Sequence, residues 1–204
     1  MFFLIGFGWH VAASFAFLVA ILSPNWIAFQ LTTSSDNTNV QRGIFYVCEL
    51  LSKTSIYELI QCTSVIDVDP VNIQKETWKY KLGIASAALA ISCAGLSLIV
   101  LWLSGINFNR RKRDSITQCF LSTICILLFV TFCTSVAIWI LLIAEILSLG
   151  QKAETSIFRW PMWLAIGASG GFLMGFISMV LSFCRGLSCR RRRRDELYSP
   201  ENHF

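Results

Sequence analysis

Four long apolar runs set the pattern of this chain, at residues 1–23, 82–105, 116–149 and 162–183. Each is long enough for a helix to cross the roughly 30 Å of hydrocarbon in a bilayer, which takes about 20 residues. The polar stretch 24–81 between the first two has a different rhythm. Ile27-Ala28-Phe29-Gln30-Leu31 and Val40-Gln41-Arg42-Gly43-Ile44-Phe45-Tyr46-Val47 are rich in β-branched and aromatic residues, and Ser34-Ser35-Asp36-Asn37-Thr38-Asn39 between them reads as a turn. That predicts a hairpin. Ile56-Tyr57-Glu58-Leu59-Ile60-Gln61-Cys62 predicts a third strand, and Asp69-Pro70 closes the stretch. The remaining segments are a connection at 106–115, another at 150–161, and a tail at 184–204. The expected fold is an all-α membrane protein, a four-transmembrane-helix bundle carrying a small extracellular β-sheet.

Composition removes the soluble alternative, because 55% of the 204 residues are hydrophobic and 14% charged, with a mean hydropathy of +0.62. The first run is read as a retained helix and not a cleaved signal peptide. It has no basic start, exceeds the usual apolar length, and no A-x-A-like cleavage site precedes Pro24.

Charge gives the orientation. Arg110, Arg111, Lys112 and Arg113 lie in one short connection, while Arg185, Arg190, Arg191, Arg192, Arg193 and Arg194 lie in the tail. These segments are expected in the cytoplasm, with both termini, and the segments 24–81 and 150–161 outside the plasma membrane. Trp26, Trp78, Trp160 and Trp163 then fall at the outer water boundary, where indoles are favoured.

Of eight cysteines, Cys93, Cys119, Cys125 and Cys133 fall inside spans, and Cys184 and Cys189 on the cytoplasmic side. Cys48 and Cys62 share the outer loop and can close a disulfide in an oxidising compartment, with a pair of free thiols as the alternative. A bridge closing about 15 residues is worth roughly 3 kcal/mol in the chain-entropy model, a useful staple for a sheet with little core.

Four spans, a first outer loop of this size, and the order Trp26, Gly43-Ile44-Phe45, Cys48, Cys62 closely resemble the claudin superfamily. That superfamily also includes the peripheral myelin protein/epithelial membrane protein group and auxiliary subunits of glutamate receptors and calcium channels. The family pattern is Trp, Gly-Leu-Trp, Cys, Cys; here Phe45 replaces the second Trp, and thirteen residues separate the cysteines where about ten is usual. The resemblance implies a sheet of about five strands, one from the second outer loop, standing on the bundle. It also implies that Trp26 anchors the base of the sheet at the lipid surface; an ordinary interfacial Trp is the plainer account.

Other residues invite specific readings. The third run gives a helix of roughly 50 Å, longer than the hydrocarbon, so its outer end, with Glu145, is expected to project and frame the sheet. There a solvated or salt-bridged carboxylate is preferred over a buried proton relay. Gly167, Gly171 and Gly175 form a small-residue stripe suited to close helix packing, against Ala87, Ala90 or Ala94 of the second span in preference to a second copy. His10, halfway along the first span, is read as a neutral side chain bonded to a neighbouring helix. Cys184 and Cys189 are candidates for S-acylation, and the arginines at 190–194 for contact with anionic lipids, holding the start of the tail on the membrane. Beyond them the tail reads as disordered, and its end, Asn202-His203-Phe204, lacks the Tyr-Val by which many claudins engage scaffolds.

Two histidines, no phosphate loop and no nucleophile–base pair give catalysis nothing to rest on, and no metal, cofactor or nucleic acid is expected. A tetraspanin would carry its cysteines between spans three and four, and a gap-junction protein in both outer loops. The expected function is cell–cell contact, junction or paracellular barrier formation by self-association through the outer sheet, in cis or in trans. The alternative is an auxiliary subunit regulating an ion channel or receptor. If the chain lines a paracellular path, the resemblance places the segment after the second cysteine against it, and Asp67 and Asp69 would favour cations; two solvated loop carboxylates are the plainer account.

Overall fold

The computed structural model describes residues 2–32, 37–51, 59–64, 77–109, 115–148 and 157–197. Among them are four helices, α1 (Phe2–Leu22), α2 (Thr77–Asn109), α3 (Ser115–Ser148) and α4 (Trp160–Leu197), and four strands, β1 (Ile27–Thr32), β2 (Asn37–Arg42), β3 (Tyr46–Leu51) and β4 (Leu59–Ser64). All four helices are long and apolar enough to cross a membrane. Large apolar side chains such as Phe15, Leu22, Trp102 and Ile126 stand exposed along them, a surface that suits hydrocarbon and not water. The chain is a multi-pass membrane protein.

Two helices overrun their expected bounds. α2 begins at Thr77 and ends at Asn109, where 82–105 was expected, so the polar connection to α3 shortens to 110–114. α4 starts at Trp160, with Pro161 in its first turn, where proline is tolerated, and continues to Leu197 through most of the expected tail. Hydropathy falls after Phe183, but the segment 184–197 contains no proline and is rich in Arg, which sustains a helix.

α1 packs chiefly on α4, α2 on α3 and α3 on α4, while α1 and α2 share a sparser seam. The α1–α4 approach is set by small residues. A Cβ on Gly171 would sit 2.8 Å from the Cβ of Ala13, and one on Gly6 3.1 Å from the carbonyl oxygen of Gly175. The stripe therefore packs against α1 and not against Ala87, Ala90 or Ala94 of α2, and Gly167 faces open space. A stripe defines a face of its helix, whereas the neighbour it meets depends on how the bundle closes.

The core divides into two apolar clusters. One, on the sheet side, gathers Phe17, Ala20, Trp26, Ile27, Ile44, Ile138, Leu142 and Phe172; the other gathers Val100, Ile124, Leu128 and Met179. Along α1, α2 and α3 the buried polar residues His10, Ser14, Ser97 and Thr131 lie between the two.

The sheet runs in the order β1-β2-β3-β4, every pair antiparallel. Two sequence expectations change here. Asn37, Thr38 and Asn39 belong to β2 and not to a turn, because all three pair with β1 and Thr38 and Asn39 also with β3, which outweighs the poor strand propensity of asparagine. The run 40–47 is not one strand but the corner of a second hairpin, bent at Gly43-Ile44-Phe45. β4 starts at Leu59 where Ile56 was expected, and residues 52–58 lie outside the described residues.

The α1–α4 packing makes a testable distinction between two glycines of one stripe. Gly171→Leu should overpack the interface and destabilise the protein by about 1–3 kcal/mol, read as a lowered melting temperature in detergent. Gly167→Leu should leave it unchanged.

Candidate functional site

The residues of the Trp, Gly-Ile-Phe, Cys, Cys pattern meet where the sheet is seated on the helices. α1 ends at Leu22 with carbonyls that have no partner further along the helix. The chain turns through Pro24, and the Trp26 indole folds back so that its Nε1 donates to the carbonyl of Ala20 at 2.6 Å. The backbone N–H of Ser23 donates to the same oxygen at 3.1 Å. Trp26 is fully buried, inside the sheet-side core cluster. It is thus not a membrane-surface tryptophan: its ring lies in protein, while Trp160 and Trp163 are more than half exposed.

Trp26 also connects three chain segments through its backbone. Its N–H donates to the carbonyl of Arg42 at 2.9 Å, and its carbonyl accepts from the N–H of Arg159, also at 2.9 Å. The N–H of Ala28 donates to the carbonyl of Ile157 at 3.0 Å, and Ile27 forms a bridge with Phe158. The segment before α4 therefore lies along the free edge of β1.

Gly43-Ile44-Phe45 is the tip of the β2–β3 hairpin, closed by the Gly43 N–H donating to the Tyr46 carbonyl at 2.8 Å. A Cβ on Gly43 would fall 2.6 Å from the carbonyl oxygen of Pro24 and 2.9 Å from its carbon. These are backbone atoms, so the position admits no side chain. Ile44 is fully buried in the same cluster as Trp26, and Phe45 packs against that cluster from its edge. A phenylalanine thus fills an apolar role here that requires no indole N–H.

One turn before the sheet-side end of α3, Glu145 meets Arg42, the last residue of β2. Nε donates to Oε1 at 3.2 Å and Nη2 to Oε2 at 3.3 Å, a two-pronged pair with both side chains largely buried. Sequence reasoning named Glu145 and missed Arg42. The one available signal was an arginine inside an otherwise apolar strand run, directly before the glycine. Further out, Cys48 and Cys62 are register partners on β3 and β4 and form a disulfide. This bridge ties the sheet to itself, whereas Trp26 and Arg42 tie it to the bundle.

Within the membrane, His10 Nε2 faces the carbonyl of Ser97 on α2 at 3.2 Å. A carbonyl only accepts, so Nε2 carries the proton. The Ser14 hydroxyl donates to the His10 carbonyl at 2.6 Å and lies 2.5 Å from the Ser97 hydroxyl, which must then be the donor to Ser14. The three residues form a polar clasp across the sparse seam between α1 and α2. Ser14 lies one helical turn from His10, and Ser97, on another helix, carries no sequence signal.

The remaining candidates are placed as follows. Cys184 is an exposed free thiol; Cys189 lies on α4, and its side chain is outside what is described. Asp67 and Asp69 lie outside the described residues. Among the described residues no group of three or more His, Cys, Asp or Glu could hold a metal ion. No protein-family model matches the chain, and a search of curated proteins finds no match.

The Arg42–Glu145 pair lends itself to a double-mutant cycle. Arg42→Met leaves a buried carboxylate without its cation and should cost on the order of 3 kcal/mol. Arg42→Met with Glu145→Leu should recover most of that loss, as measured by thermal unfolding in detergent.

Proposed function

We propose that this chain is a claudin-like plasma-membrane protein that makes cell–cell contacts through its sheet, which stands outside the cell with both termini in the cytoplasm. The observation that carries this reading is the rigid seat of the sheet. Trp26, the Gly43 hairpin tip and the Arg42–Glu145 pair fix it to the bundle, and the Cys48–Cys62 bridge fixes its far strands. A platform held in one orientation loses little entropy when it meets a second copy or a facing membrane, which favours weak contacts repeated along a boundary. The Ile27–Phe158 bridge supports the same reading, since the resemblance calls for a contribution from the second outer loop beside the first. Acylation of Cys184 and Cys189 would add membrane affinity at the opposite end, and Asp67 and Asp69 would give any paracellular path a preference for cations.

Expression in cells lacking junctional strands should enrich the protein at boundaries where both neighbours express it. Cys48→Ser should reduce surface delivery, because loss of such a bridge costs about 2–5 kcal/mol. A uniform surface distribution, together with stoichiometric co-purification of a channel or receptor, would replace this reading with the auxiliary-subunit one. In an epithelial layer of low background, replacing Asp67 and Asp69 with Asn should lower the sodium-to-chloride permeability ratio measured by dilution potentials.

A further inference from the structure

The end of α4 away from the sheet does not behave as a loose basic tail. The apolar span ends at Gly186, but the helix continues without interruption to Leu197. The same end of α4 is tied to α1, because the Arg185 guanidinium lies over the ring of Phe2, 4.6 Å from its centroid. At 1.5 Å per residue, position 190 stands about 6 Å beyond Gly186 and position 194 about 12 Å beyond it. The polar headgroup zone is about 5–8 Å thick on each side of the hydrocarbon, so the arginine positions begin at the depth of the lipid phosphates.

Their arrangement around the axis is equally defined. Five consecutive helical positions advance by about 100° each and leave no gap wider than about 100°. The sequence continues with Asp195 and Glu196, which the same helix carries to about 14–15 Å from Gly186, on the water side of the headgroups. Charge is therefore graded along the axis, cationic at phosphate depth and anionic further out.

We propose that residues 190–194 form a cationic collar around α4 that gathers anionic phospholipid headgroups from all sides of the helix. A pocket for one headgroup would concentrate binding on one or two residues of one face. A collar divides it among all five positions, declining outward, and does not depend on how the helix is rotated. It does depend on depth, because the helix is continuous with the span. A flexible basic tail has the opposite properties: it adjusts its own depth and is indifferent to a few inserted residues.

The test uses the full chain in lipid nanodiscs, where both leaflets have the same composition and the result is independent of orientation in the cell. Electron paramagnetic resonance of spin-labelled lipids gives the association of phosphatidylserine with the protein relative to phosphatidylcholine. The ratio should be about threefold in favour of phosphatidylserine at low salt and approach unity at about 0.5 M salt, as expected for screened surface charge. Replacing all five arginines with Gln should bring it to unity, and each single Arg→Gln should lower it by a small factor that shrinks from Arg190 to Arg194. Inserting four alanines after Ser188 lifts the collar by about 6 Å with its charge intact, so that position 190 takes the former depth of position 194, and should lower the ratio. A ratio unchanged by the five substitutions, one abolished by a single substitution, or one unmoved by the alanine insertion would each overturn the collar.

Discussion

The part of the molecule beyond the bilayer depends on one hydrogen bond, from the Trp26 indole to the carbonyl of Ala20. A helix ending at the edge of hydrocarbon leaves carbonyls that water reaches poorly, and a protein donor must take water's place. The Ser23 N–H donates to the same Ala20 oxygen, and because the indole lies six residues further along the chain, adding its bond bends the backbone sharply over the helix end. That bend brings Pro24 against Gly43 and delivers Ile27 to the start of β1. The sheet's position on the bundle is thus a by-product of capping α1.

The two halves of the protein are stabilised by different forces. In water the sheet gains from burying Ile27 and Ile44, yet with one small layer it needs a covalent bridge and a buried ion pair as well. In hydrocarbon there is no hydrophobic reward for bringing helices together. The α1–α4 interface relies instead on the close approach permitted by Gly6, Gly171 and Gly175, and the sparse α1–α2 seam on the hydrogen bonds among His10, Ser14 and Ser97.

Much of this was legible in the residues, and the illegible part has clear causes. Runs of apolar residues declare helices that must cross a bilayer, and two cysteines alone in one outer loop declare a bridge. Where α2 and α4 end was not legible, because hydropathy marks the membrane edge and not the helix edge, and Arg and Glu extend a helix as readily as Leu does. The corner at Gly43 was hidden because glycine there serves a contact with Pro24, nineteen positions earlier in the chain. Arg42 and Glu145 are 103 positions apart, and no local pattern joins them. Nor does a glycine stripe reveal which of three other helices it will meet.

The pairing of the first helix with the last has a consequence for how the molecule is made. Trp160 emerges from the ribosome 138 positions after Leu22 (160 − 22), which at about 10 residues per second is a delay of roughly 14 seconds. Throughout that interval α1 sits in the bilayer with its glycine face unmatched and a histidine in hydrocarbon. Ser97 is synthesised long before α4, so the polar clasp with α2 is available first. This sparse seam of the finished bundle is the earliest that can form, and it shelters His10 until the last helix arrives to complete the packing.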